Sequence, residues 1–313
     1  MNKQSTNTIL MIRPLAFNYN MQTAVNNHYQ NANDFDKNSN QINLRAQTEF
    51  DNFVVKLRSF GVDVIVFQDD DKFDTPDSVF PNNWISFHSN GDIALYPMFA
   101  ENRRRERREE TLIRLEKEGF IIKDIIDYTI AENEEIYLEG TGSLLLDRVN
   151  KKAYCALSDR AHEDLIIEFC EDFDYAPIIF NAFQTKEDKR LPIYHTNVMM
   201  ALGEHIAIVC LDTIDDKKEK KLVLKNLKED QKEIIEISEK QMHYFAGNML
   251  QVKGANESKY MVMSKTAHDS LALGQIKKIE AHAQILSCDL QTIETCGGGS
   301  ARCMMAEVFL PTE

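Results

Sequence analysis

The chain has 313 residues, 43% of them hydrophobic and 27% charged, with a formal charge of −14. This is soluble globular material with enough apolar residues for a large core, and its acidity excludes a general nucleic-acid or anionic-membrane binder. No stretch is long and apolar enough for a secretion signal or a membrane span. The six cysteines (Cys155, Cys170, Cys210, Cys288, Cys296 and Cys303) form no CxxC pair. That argues against a disulfide framework or a zinc site and leaves cytoplasmic thiols as the expectation.

In chain order, "TILMIRP" (8–14) reads as a strand, "NLRAQTEFDNFVVKLRSF" (43–60) as a helix and "VDVIVFQ" (62–68) as a strand. "WISFHSNGDIALYPM" (84–98) is a hairpin around Asn90-Gly91. The charged stretch 102–119 follows as a helix, and "FIIKDII" (120–126) as a strand. Its run Arg103-Arg104-Arg105-Glu106-Arg107-Arg108 reads as a solvated helix face with local charge pairs. The same order recurs as hairpin 143–158, helix 160–173 and strand 176–183. It recurs again as hairpin 197–212 (turning at Gly203-Glu204), helix 214–230 and strand 233–238. A weaker copy has strands 248–254 and 259–264, a helical stretch 266–283 and strand 284–288. "CMMAEVFL" (303–310) pairs with the first strand to complete a unit split across the termini. The count is five ββαβ units of about sixty residues, an α/β ring closed by the chain ends. No Gly-, Pro- or Ser-rich linker separates the units, so one domain over 1–313 is expected.

The segments ahead of the first strands are unusual: "PDSVFPNNW", "YLEGTGS", "PIYHTN", "FAGN" and "CGGGSARC". In a ring of like units, Asn82/Asn83, Glu139, His195, Asn248 and Cys303 would converge on one mouth. A thiol, an imidazole and a carboxylate are the parts of nucleophilic cysteine catalysis. Alone, each residue also fits a structural role: an inert core thiol, a hydrogen-bonded histidine, a turn carboxylate. Their shared place in the repeat points to catalysis. A nucleotide-binding fold lacks support, because "EGTGS" opens a hairpin and a phosphate loop needs a helix.

This order of elements and motifs resembles the guanidino-group-modifying superfamily, a five-bladed α/β propeller called the pentein fold. The superfamily includes arginine deiminase, dimethylarginine dimethylaminohydrolase, succinylarginine dihydrolase and the amidinotransferases. The segments "TPDSVFPNNW", "LEGTGSLLLD" and "GGGSARC" are similar to its Pro-Asp segment, its Glu-Gly-Gly-Asp block and its nucleophile loop. The arginine deiminase-related, citrulline utilization hydrolase branch is the nearest in pattern. The resemblance implies that Cys303 is the nucleophile, His195 the acid–base and Glu139 its partner, with no cofactor and no metal. Glu139 would favour the protonated histidine, and Asp77 would hold one side of the substrate head group. Relatives that bind a cation commonly have a carboxylate where Asn83 stands, and arginine deiminases have Asp where Asn197 stands. An amide donates as well as accepts, which admits a neutral ureido substrate such as citrulline beside arginine-like ones.

Asn82, Asn83, Asn197, Asn248, Gly298 and Gly299 are thus expected around the substrate, the glycines giving a planar head group room or supplying φ > 0 where the chain turns. Arg13 and Arg302 are candidates for the substrate carboxylate; Arg160 reads as a surface salt bridge. The other histidines (His88, His162, His205, His243, His268, His282) read as structural or exposed, and the Met pairs at 199–200 and 304–305 as core. Cys296 has no assignment. The expected partner is a small guanidino or ureido amino acid, with no nucleic acid and no membrane, and a homodimer left open. An amidinotransferase and a non-catalytic pentein binding protein are the competing readings.

Overall fold

The computed structural model describes residues 3–30, 39–70 and 72–312. Its strands form five three-stranded sheets, each with an antiparallel pair followed by a parallel third strand. In order along the chain they are Ile85–Phe87, Asp92–Leu95 and Asp124–Asp127; Leu145–Asp147, Lys152–Leu157 and Ala176–Asn181; Met200–Leu202, Ile206–Val209 and Glu233–Glu236; and Leu250–Lys253, Lys259–Ser264 and Gln284–Cys288. The remaining sheet joins the two ends: Ala306–Glu307 pairs antiparallel with Thr8–Arg13, which pairs parallel with Asp63–Gln68. Ile9 lies opposite Glu307, and Leu10 opposite Ala306.

Local chemistry explains the pieces. Gly91 takes φ +98 in the tight turn that the Asn90-Gly91 pair demands. Ile206–Val209 is buried at every position, as a strand covered on both faces must be. Helix Ser39–Ser59 buries Ile42, Ala46, Phe50, Phe53, Val54 and Leu57, a stripe at three- and four-residue spacing. Asp216 and Ser264 cap the helices Lys217–Glu229 and Lys265–Ser270 by accepting from free backbone N–H groups.

Two helical stretches are broken where one helix each is expected. Residues 102–119 divide into Glu101–Arg104 and Glu109–Lys117, because Arg103 and Glu106 turn inward and are buried. The solvated-face reading therefore fails at those two residues. Residues 266–283 divide into Lys265–Ser270 and Leu273–Glu280. A sixth, two-stranded sheet, Phe183–Lys186 with Lys189–Pro192, has no counterpart in the expected order. Among the described residues no helix is long and apolar enough to cross a membrane.

What positions the site is a short helical turn ahead of several first strands. Pro81–Asn83, Gly140–Ser143 and Thr196–Met199 are such turns, and Cys303 lies in a further turn, its N–H bonded to the Ser300 carbonyl. Glu139 and His195 cap the second and third. A side chain at a cap points off the turn's end instead of into the strand ladder.

Candidate active site

The turns bring the candidate residues together in a closed interior: Glu139, His195 and Cys303 are 0%, 2% and 3% exposed. His195 Nε2 lies 2.7 Å from Glu139 Oε2. Glu139 Oε1 also accepts the Phe99 N–H at 3.1 Å. The turn that carries Glu139 can approach this closely only because Gly142 has no side chain. A Cβ there would stand 2.3 Å from Asn83 Nδ2 and 2.9 Å from His195 Nδ1.

Burial by itself raises the Glu139 carboxyl. The Arg160 guanidinium, the His195 hydrogen bond and Arg103 together outweigh it and hold Glu139 well below the usual carboxylate range. Burial pushes His195 down to about 4, although Glu139 pulls the other way. Glu139 thus favours the protonated imidazole, as the resemblance implies, but burial outweighs it and favours the neutral ring at neutral pH. That ring donates from Nε2 to the carboxylate, which leaves Nδ1 as the basic nitrogen.

Cys303 Sγ receives two side-chain amides, Asn248 Nδ2 at 3.2 Å and Asn197 Nδ2 at 3.4 Å. Asn248 is fixed at its other end, where Oδ1 accepts the Arg302 N–H at 3.0 Å. Both asparagines, expected on the substrate, thus touch the sulfur. Gly298 ends the helix Gln291–Gly297 in the left-handed region, φ +65, the positive φ that a glycine at a chain turn can supply. Its carbonyl accepts from Tyr194 Oη at 2.7 Å. Gly299 backs onto the Phe80 ring, where a Cβ would sit 2.9 Å away. These glycines serve a left-handed cap and close packing beside the nucleophile.

Asp77, Asn82 and Asn83 are buried on the neighbouring turn. Asp77 Oδ2 accepts from Asn20 Nδ2 at 2.8 Å and Thr23 Oγ1 at 3.0 Å. Asp77 Oδ1, both amide atoms of Asn82 and Asn83 Nδ2 bond no protein group. Such buried polar atoms are costly unless a ligand engages them. Burial raises the Asp77 carboxyl, against the pull of Arg103 and Arg160.

The arginines correct three expectations. Arg13 faces outward and pairs with Asp51 at 2.8 Å, so it is not part of this cluster. Arg302 turns to the Met305 carbonyl (2.9 Å) and Glu307 (3.1 Å). Arg160 is no surface salt bridge: it is buried, 3.4 Å from Glu139. Its remaining donors go to neutral oxygens, the Thr23 carbonyl and Asn26 Oδ1. Arg103 is a further residue that sequence reasoning missed. It is buried in a bidentate pair with Glu106 and donates to Asn83 Oδ1 at 2.8 Å.

Residues 17–30 cover the cluster. Besides Asn20, Thr23 and Asn26, Asn27 and Gln30 donate to the Gly297 carbonyl at 3.2 and 3.3 Å. The signal for this cover is an amide-rich stretch, "NYNMQTAVNNHYQ" (18–30), directly after the first strand. A cleft of about 490 Å³ on its outer side is lined by Asn18, Asn20, Asn43, Asp74 and Asn102 among others. It contains none of the three candidate catalytic residues.

Solved structures share this fold. The apo arginine dihydrolase ArgZ, from the ornithine-ammonia cycle in cyanobacteria, matches with a TM-score of 0.74 at 17% identity, over 98% of this chain and 41% of that one. This chain thus spans about two fifths of that enzyme's length. The N-terminal domain of an ArgZ variant, covalently bound to a reaction intermediate, matches with a TM-score of 0.71 at 16% identity, over 97% and 99% of the two chains. A dimethylarginine dimethylaminohydrolase variant, as its adduct with S-methyl-L-thiocitrulline, matches with a TM-score of 0.63 at 17% identity, over 98% and 100%. No curated protein sequence matches the chain. The family profile "N,N dimethylarginine dimethylhydrolase, eukaryotic" covers residues 13–310. This match shows that the chain belongs to that family, within the guanidino-group-modifying pentein superfamily.

Proposed function

We propose that the chain is a single pentein domain, its five units closed into a ring by the paired ends, that hydrolyses the guanidino group of an arginine-like amino acid through a covalent bond to Cys303. One observation carries this reading: the 2.7 Å Glu139–His195 pair shares a buried interior with a thiol held by two amides, beside Asp77, Asn82 and Asn83, which turn polar atoms that bond no protein group into that interior. The covalent intermediate in the ArgZ variant and the thiocitrulline adduct in the dimethylarginine enzyme support a covalent route.

His195 Nδ1 takes the thiol proton as Sγ attacks the guanidinium carbon and one C=N bond opens. The imidazolium then gives that proton to an amino group, the C–N bond breaks and ammonia leaves. His195 next takes a proton from water, whose oxygen attacks the S-linked carbon. The C–S bond breaks, the ureido product departs and the thiol recovers its proton. The sum is one water consumed and one ammonium released. Asp77 faces the cationic head group, and Arg160 holds the substrate carboxylate in place of the Thr23 and Asn26 oxygens that it bonds here.

Asparagine in place of a second carboxylate also suits a ureido head group. A second round with a second water would then break the remaining C–NH2 bond and release ammonia, and the carbamate left would split into an amine and carbon dioxide. The test is to incubate the protein with L-arginine, methylarginines, succinylarginine and L-citrulline, and to follow ammonia, ureido product and amine. Ammonia and a ureido or amine product from an arginine-like compound is expected; release from none of them would sink the reading. Turnover of guanidino compounds with citrulline inert would remove the ureido part alone.

The pH dependence follows from the neutral His195. A base whose pKa is depressed to about 4 stays active as pH falls through 6.5, the ordinary imidazole value. The acid limb of kcat/KM is expected near 4, and a limb at 6.5 assigned to His195 would contradict the buried, neutral imidazole.

A further inference from the structure

A chain of fixed groups behind the candidate site leads from Glu106 to the amide of Asn83. Glu106 is buried and grips Arg103 with both oxygens, Oε1 on Nε and Oε2 on Nη2, each at 2.9 Å. Arg103 Nη2 also donates to the Phe80 carbonyl at 3.0 Å, which fixes the guanidinium plane. Nη1 then reaches Asn83 Oδ1 at 2.8 Å. A guanidinium has donors and no acceptor, so Asn83 can meet it only through oxygen. The amide cannot flip without setting N–H against N–H. Its Nδ2 is therefore turned away from Arg103. That atom is buried, bonds no protein group and lies beside His195 Nδ1 across Gly142.

We infer that Glu106, acting through Arg103, is a positioning residue that holds Asn83 as a fixed hydrogen-bond donor toward the reacting carbon, and so selects substrates with an acceptor oxygen there, the ureido class. This rests on the reading of the site as a guanidino hydrolase and specifies its second round. A carboxylate at position 83 would also accept from Arg103, but would present another acceptor to the site, which suits the N–H groups of a guanidinium. The asparagine presents N–H, which suits a carbonyl oxygen or the oxyanion that follows attack on it. A freely turning amide would serve either, with less discrimination.

The test measures binding of L-citrulline and L-arginine by calorimetry in a Cys303→Ala background, then adds Glu106→Gln or Arg103→Lys. The two added variants are expected to lower citrulline affinity relative to arginine affinity by at least about tenfold, because a site built to donate to an oxygen loses that donor's aim. In enzymes that retain Cys303, the ratio of ureido product to amine formed from arginine should rise with either substitution. A merely structural Glu106 would lower the melting temperature and leave both ratios alone; unchanged ratios in a folded Glu106→Gln or Arg103→Lys protein overturn the inference. Should Glu106→Gln fail to fold, Arg103→Lys keeps the charge and carries the test. Asn83→Asp is the control at the end of the chain and should shift preference toward arginine. Arginine binding without citrulline binding in the Cys303→Ala protein overturns the inference and leaves the hydrolase reading standing, whereas binding of neither sinks both.

Discussion

Cys303→Ala is expected to lower turnover by about 10⁴-fold or more, because no other group can form the covalent bond on which both halves of the reaction depend. The substitution removes one sulfur from a site framed by Asn197, Asn248 and the Ser300 turn, and no ion pair depends on it. The fold should survive, so circular dichroism and the melting temperature should stay close to those of the parent. Thiol alkylation gives an independent check. Substrate should protect Cys303 from alkylation, and loss of Cys303 should abolish the substrate-protected fraction. A Cys303→Ala protein with full activity would falsify the covalent route.

Glu139→Gln is expected to damage both activity and stability. The carboxylate is fully buried, accepts from His195 and Phe99, and is the nearest negative charge to Arg160. Glutamine keeps the size and loses the charge. Arg160 would then be left without its closest counter-charge in a dry interior, a loss of about 3–5 kcal/mol for a broken buried pair. The amide keeps one acceptor where the carboxylate has two, so either His195 or Phe99 meets an N–H in place of an oxygen, and the charge that orients the imidazole is lost. A fall in kcat of about 10³–10⁴-fold is expected on that ground. Steady-state kinetics and thermal unfolding on the same preparation separate the two effects. Unchanged kcat at saturating substrate would remove Glu139 from the mechanism, whatever its effect on unfolding.

The sequence is a good guide to the fold where local chemistry decides the outcome. Asn90-Gly91 demands its hairpin, and the apolar run through Ile206–Val209 demands cover on both faces. The placement of Glu139, His195 and Cys303 is legible because each stands at the same point of a repeating unit. What escapes is what only tertiary partners determine. Arg103 and Arg104 are neighbours in one basic run, yet Arg103 is buried against Glu106 while Arg104 remains a quarter exposed. Nothing local distinguishes them. The repeat points to Asn248 and the resemblance to Asn197, but an amide beside a site can face substrate or sulfur, and only the tertiary arrangement decides which. The glycines near Cys303 include the positive φ expected of a turn, at Gly298, but that they pack against Phe80 and Asn27 is set by distant partners. The composition of 102–119 suggests one helix and holds no sign that two of its charged residues turn inward.

The pairing of the chain's two ends has a consequence for the order of events in folding. Four of the five three-stranded sheets are made from neighbouring stretches, and their loops close at modest entropic cost. The fifth requires Ala306–Glu307 to find Thr8–Arg13 across nearly the whole sequence. The turn bearing Cys303 leads directly into that last strand, while His195 and Glu139 stand on turns built wholly from mid-chain segments. The nucleophile is thus tied to the most distant contact in the molecule, and the proton-handling pair to local ones. During refolding, catalytic competence should lag behind the recovery of secondary structure, because its final component arrives with the longest closure.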